Sequence, residues 1–324
     1  MNLQTHIPLS KETYNPIDYD SKILLLGSCF SENIGDKLAY FKFQSDQNPF
    51  GILFHPKAIE TLITNAINQK EYSEASTEPS RSEDVFFLNE RWHCFDAHSQ
   101  LSSPSKEELL NNLNTAIHKT NKQLNESTHV VITLGTSWVY RLIESDTIVA
   151  NCHKVPQKKF LKEILSTDEI TESLESIIAL IRDVNPQVNF IFTVSPVRHL
   201  KDGFIENQQS KAHLTAAIHQ VIEPRKKTHY FPSYEIMMDE LRDYRFYKED
   251  MIHPNQTAIN YIWEKFNAAW VSEDALSTEQ EVDRIQKGLN HRPFNAESEE
   301  HQKFLHSIQQ KIAVLKEQHP HMTF

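Results

Sequence analysis

The stretch Lys22–Gly35, KILLLGSCFSENIG, decides the fold. Its first five residues, Lys22 to Leu26, are mostly aliphatic and read as a buried strand. Gly27 breaks the run, Ser28-Cys29-Phe30 follows, and Ser31–Leu38 reads as the start of a helix. A strand that turns at once into a helix exposes a short side chain at the carboxyl edge of a sheet, where open α/β sheets place their sites. It also aims the free N–H groups of the helix start at any negative charge formed there. A nucleophile and half of an oxyanion hole can come from one such turn. A βα turn around a packed cysteine has the same spacing.

Outward from this stretch the same alternation repeats. His129–Leu134 (HVVITL) and Gln187–Val194 (QVNFIFTV) read as buried strands, and His229–Phe231 begins another. Helices are expected over Lys57–Gln69 with Pro56 in the first turn, from Ser103 to about Asn125, and over 167–184, 210–223, Tyr234–Tyr244 and Gln256–Trp270. Tyr40–Gln44 reads as a short strand. Val85–Leu88 with Arg91–Phe95, and Tyr140–Leu142 with Thr147–Ala150, read as hairpins. Residues 70–83 are polar and expected to be exposed. The pattern implies an α/β fold, a three-layer α/β/α sandwich on a mostly parallel sheet. Residues 1–271 are expected to form that domain. Residues 272–324, charged and without a strand, are expected to form a helical extension packed on it or used for interaction.

The chain has 324 residues and a net charge of −11, which argues against nucleic acid or an anionic membrane as the main partner. Three cysteines, Cys29, Cys94 and Cys152, are too few and too far apart for a disulfide framework. The first residues carry neither a basic region nor an apolar one, and no apolar run approaches a membrane span. A cytoplasmic protein is the expectation, with no cofactor implied and the oligomeric state open.

Polar residues cluster at the expected strand ends: Ser28-Cys29, Gly51, Thr136-Ser137, and Ser195, Arg198 and His199. The loop Asp250-Met251-Ile252-His253 adds an acid and an imidazole three residues apart. A carboxylate so placed can accept from Nδ1–H and leave Nε2 as a base; a helix-capping turn uses the same spacing. Asn151-Cys152-His153 reads as a cleft wall, as a metal half-site completed by His93, Asp96 or His98, or as a buried Cys beside a surface His. Arg198 suits a carboxylate or phosphate, or an ordinary ion pair.

Six pieces together resemble the GSCFA-domain family, a bacterial group placed in the SGNH (GDSL-like) hydrolase superfamily. They are Gly27-Ser28-Cys29-Phe30, Asn48-Pro49-Phe50-Gly51, Leu134-Gly135-Thr136-Ser137-Trp138, Asn151-Cys152-His153-Lys154, Val194–His199 and Asp250–Pro254. The resemblance implies an acyl-ester hydrolase or O-acyltransferase, acting on a small molecule or a carbohydrate. Aligned on the glycine of the superfamily's Gly-Asp-Ser, Cys29 takes the place of the serine nucleophile; a shift of one residue gives Ser28. His253 would be the base and Asp250 its orienter. Asn48, Gly51 and Ser137, which stands where the superfamily has asparagine, become oxyanion or substrate-binding candidates. Cys152, His153 and Arg198 would line the cleft. The helix start and His253 are expected to lower the Cys29 pKa. A binding protein that retains the fold without catalysis is the alternative.

Overall fold

The computed structural model describes residues 5–74 and 84–324. Of the segment 70–83, residues 75–83 lie outside the described residues, and within 70–74 Tyr72 is buried rather than exposed.

The central sheet has five parallel strands: β1 (Lys22–Gly27), β2 (Gln44–Gln47), β5 (His129–Leu134), β9 (Asn189–Val194) and β10 (Thr228–Tyr230), in the order β10-β9-β5-β1-β2. The chain moves from β1 to β2 in one direction and then returns past β1 to β5, β9 and β10. Because parallel crossovers are right-handed, this reversal puts the intervening helices on opposite faces. Helix α1 (Cys29–Tyr40) covers one face. Helices α2 (Pro56–Ile67), α3 (Lys106–Glu126), α4 (Thr167–Val184) and α5 (Phe204–Val221) cover the other.

Side-chain alternation divides the interior in two. Leu24, Leu26, Val130, Ile132, Phe190 and Phe192 face α2–α5. Ile23, Leu25, Val131 and Ile191 face α1 and α7 (Gln256–Trp270), α8 (Glu273–Leu289) and α9 (Glu299–Gln318). Val282, Ile285, Ile308, Ile312 and Leu315 belong to that second core, so α8 and α9 pack against the sheet's α1 face.

Two small sheets decorate this frame. Strands β3 (Phe86–Leu88) and β4 (Arg91–His93) form the expected hairpin, turned by Asn89 and Glu90 at positive φ. The hairpin of β6 (Trp138–Leu142) and β7 (Thr147–Val149) gains a third strand, β8 (Phe160–Ile164), that sequence reasoning did not place. Three other expectations shift. Tyr40 closes α1, Lys42 turns at φ 66°, and the strand runs Gln44–Gln47 rather than Tyr40–Gln44. Helix α5 begins at Phe204, six residues before the expected start. The Tyr234–Tyr244 segment is a helical turn, α6 (Ser233–Glu235), followed by a wider π-type turn over Ile236–Glu240. That wider turn sends Ile236 and Met237 into the core, and Glu240 to the Ile7 N–H and the Tyr261 hydroxyl.

Candidate active site

The site is built where β1 becomes α1. Gly27 has φ +133°, and a Cβ there would lie 2.1 Å from the Thr133 carbonyl oxygen of β5. Only glycine fits that approach. Ser28 donates its N–H to the same carbonyl (3.0 Å) and caps α1, its Oγ accepting from the Phe30 N–H at 3.3 Å. Ser28 is buried, whereas Cys29, the first residue of the helix, is partly exposed. Burial pushes the Cys29 thiol up, and Glu32 adds to the effect; Lys211, the residue's own N–H and Lys248 oppose it. The expected lowering is therefore reversed, because desolvation outweighs the helix start.

The loop after β2 crosses the top of β1. Asn48 accepts the Gly27 N–H on Oδ1 (2.9 Å) and donates its own N–H to the Leu25 carbonyl (2.9 Å). That bond fixes the amide's orientation, and Nδ2 is left buried without a partner. Gly51 donates its N–H to the Asn48 carbonyl (2.8 Å) at φ +72°, where a Cβ would meet His98. Ser137 is fully buried and tied to α5: its N–H reaches Ser210 Oγ (2.7 Å) and its hydroxyl the Ser210 carbonyl (3.4 Å). Neither the Gly51 N–H nor the Ser137 hydroxyl is free to serve an oxyanion. Asn48 keeps an open donor.

The loop 247–255 brings Asp250 and His253 together. Asp250 Oδ1 accepts the N–H groups of Ile252 (2.9 Å) and His253 (3.0 Å), and Oδ2 accepts His253 Nδ1–H at 2.7 Å. The two backbone N–H groups and then the imidazole hold the carboxyl down to about 2. An ionised carboxylate only accepts, so Nδ1 carries a proton, and in the neutral imidazole the lone pair is on Nε2. Both side chains are half-exposed, and Met251 takes φ 57° to close the turn. Lys248 donates its N–H to the His253 carbonyl (2.8 Å), which closes the loop on itself, and its charge acts on the Cys29 thiol. Arg198 donates its N–H to the Ile252 carbonyl (3.4 Å), and its guanidinium lies over Phe204. His199 is half-buried, with Nε2 buried and unpartnered; desolvation, then Lys211 and His253, push its pKa down to about 3, so it stays neutral.

Lys211 is the residue that sequence reasoning missed. It is fully buried, and Nζ donates to the carbonyls of Gly135 and Ser195, each at 2.7 Å. Burial brings its pKa down to about 7; Cys29 raises it and Arg198 lowers it. The signal was the stripe Asn207, Ser210, Lys211, Leu214, Ala217, Ile218, all buried at helical spacing. A helix expected to start at 210 leaves Asn207 out of the stripe.

Asn151, Cys152 and His153 line a separate cleft of about 410 Å³, walled by Phe54, Trp138, Tyr140, Phe160 and Lys201. Burial lifts the Cys152 thiol to about 11. The His153 Nε2 is bonded to the Cys94 carbonyl (2.7 Å), and burial first, against that bond, brings its pKa down to about 4. Phe54 joins the two regions: its ring lies 5.6 Å from that of His199, and its carbonyl accepts the Gly135 N–H. Among the described residues no group of three or more His, Cys, Asp or Glu side chains is placed to hold a metal ion. Among them, no helix is long and apolar enough to cross a membrane.

No curated protein matches this chain. Among solved structures, it is similar to the crystal structure of a carbohydrate esterase family 3 from Talaromyces cellulolyticus. Identity is 12%, the TM-score is 0.32, and the match covers 82% of this chain and 99% of that one. At that TM-score the likeness carries nothing further. A model described as a GSCFA domain protein, C-terminal domain, matches residues 282–324. The GSCFA family model matches residues 22–266, a span that holds every site residue named above, and the chain belongs to the GSCFA family.

Proposed function

We propose that this chain is an SGNH-like esterase or O-acyltransferase that works through Cys29, His253 and Asp250. The observation that carries the reading is the 2.7 Å bond from His253 Nδ1 to Asp250, on a loop whose Lys248 charge reaches Cys29. Nε2 of His253 is the base that removes the Sγ proton as sulfur attacks the acyl carbon. Because the thiol is pushed up, attack and deprotonation occur together rather than from a standing thiolate. Asn48 Nδ2 and the Cys29 N–H stabilise the tetrahedral oxyanion. Collapse forms a thioester and expels the alcohol, which takes its proton from the imidazolium; water or a second alcohol then restores the thiol. Ser28 keeps its role as the α1 cap, which leaves Cys29 as the nucleophile. The substrate is an O-acyl ester, small or carbohydrate-linked. Arg198 lies beside the base, and Cys152 and His153 line the neighbouring cleft, where they contact the rest of the substrate.

Turnover of a panel of activated O-acyl esters tests this. Cys29→Ala and His253→Ala are each expected to lose about a thousandfold in kcat/KM. Ser28→Ala is expected to keep its rate while losing about 1 kcal/mol of stability with the cap. Wild-type turnover unchanged in Cys29→Ala would remove the cysteine from the mechanism. No turnover by the wild type favours the non-catalytic binding protein.

A further inference from the structure

Three adjacent strands carry the site in one register. Gly27 of β1 pairs with Thr133 of β5, and Thr133 pairs with Thr193 of β9. Cys29, Gly135 and Ser195 therefore each stand two residues beyond the same rung. Lys211 bridges two of the three, with Nζ on the carbonyls of Gly135 and Ser195. It reaches them from the buried stripe of α5, and the Tyr234 ring lies 5.6 Å from Nζ. A fully buried ammonium is expensive to maintain in a protein interior, and two neutral carbonyls do not balance its charge. Its charge acts on the Cys29 thiol, and an anion formed there would offset it.

We propose that Lys211 is a positioning residue of the Cys29 site, clamping the carboxyl ends of β5 and β9 and favouring the thiolate when it forms. This rests on the reading of Cys29 as the nucleophile. The charges acting on the pair come from several elements. Glu32 of α1 acts against the thiolate, and Lys248 of the base-bearing loop acts for it. Arg198 acts against a protonated Lys211, and neutral His199 lies beside both Lys211 and His253. With Lys211 titrating at about 7 and Cys29 higher, the lysine favours the thiolate only while it keeps its proton.

The consequence is a distinctive pH profile for alkylation of Cys29 by iodoacetamide, followed by peptide mapping from about pH 5 to about pH 10. In the wild type the logarithm of the rate is expected to rise, flatten near pH 7 as Lys211 loses its proton, and rise again. Lys211→Met is expected to lose that shoulder, with a rate about tenfold lower near pH 6 that rejoins the wild type at high pH. Lys211→Arg is expected to raise the rate across the range without a shoulder, and His253→Ala to keep the shoulder. A wild-type profile with no shoulder, one that survives Lys211→Met, or one abolished by His253→Ala overturns the proposal. If Lys211→Met does not fold, the wild type decides: the Lys211 Nζ resonance in ¹⁵N-lysine protein must titrate at the shoulder's midpoint, and a different midpoint overturns it. Alkylation needs no acyl turnover, so failure here and failure of the esterase reading are separate results.

Discussion

Asp250 accepts three N–H groups within four residues, and its ionised form is held by all of them. Its carboxyl is lowered to about 2, below the ordinary carboxylate range. A lowered acid stabilises the fold above its unfolded pKa and loses that contribution as pH falls through the folded one. The loop is therefore expected to keep its form through mild acid and to loosen only as the pH nears 2. Asp250→Asn keeps the size of the side chain, and with its oxygen held by the two backbone N–H groups it turns its amide N–H towards His253 Nδ1, which favours the wrong tautomer. Acyl transfer is expected to fall about a hundredfold or more with little change in melting temperature. Unchanged kcat in that variant would contradict the orienting role. This pair was legible in the sequence because its bond spans three residues and needs no knowledge of the rest of the chain. Ser137 was not legible as a committed group, because its partner Ser210 is 73 residues away. Gly51 looked like a donor, yet its N–H closes a turn within its own loop.

At the scale of elements, the strands that carry the site were the plainest feature of the sequence. Parallel strands covered on both faces carry unbroken apolar runs, and β1, β5 and β9 do so over Ile23–Leu26, Val130–Ile132 and Phe190–Phe192. Strand β2, Gln44–Gln47, is polar and lies at the sheet edge, so no apolar run marked it. In β8 the FLKEI pattern leaves Leu161 exposed, and alternation is lost. The close approach of β1 to β5 at Gly27 makes a direct test of the frame. Gly27→Ala must move the Thr133 carbonyl away and abandon φ +133°, a conformation that L residues rarely adopt, at a cost of roughly 3 kcal/mol. Urea unfolding is expected to show that loss together with slower Cys29 acylation, since the same carbonyl holds Ser28. A fully stable Gly27→Ala would contradict the packing described for this turn.

Across the whole molecule, two cores share one sheet, and the second joins residues far apart in the chain. Ile17 and Tyr19 from the lead-in, α1, α7, α8 and α9 meet there. Glu279 of α8 is buried in that junction with its Oε2 on Asn267 of α7 at 2.7 Å, and burial raises its pKa to about 8. A raised acid works in the opposite sense to Asp250. Its favourable contribution is complete below the unfolded value near 4.5 and is lost as pH rises towards 8. Glu279→Gln mimics the protonated acid and is expected to be more stable than the wild type at pH 8, with the two converging near pH 4. Parallel stability curves would contradict a neutral Glu279. The helical character of residues 272–324 was legible from composition. Their place in the second core was not, because the apolar positions they fill against are set by the sheet and by α1.

The central claim is that Cys29 takes up an acyl group with His253 as its base. The direct measurement is intact mass after brief exposure to an activated acetyl ester, with acid quench and peptide mapping. Wild type is compared with Cys29→Ala, Ser28→Ala and His253→Ala. The account expects one acetyl group on Cys29 in the wild type and in Ser28→Ala, none in Cys29→Ala, and a rate lowered about a hundredfold or more in His253→Ala. An adduct on Ser28, or one on Cys29 that forms as fast without His253, would contradict it.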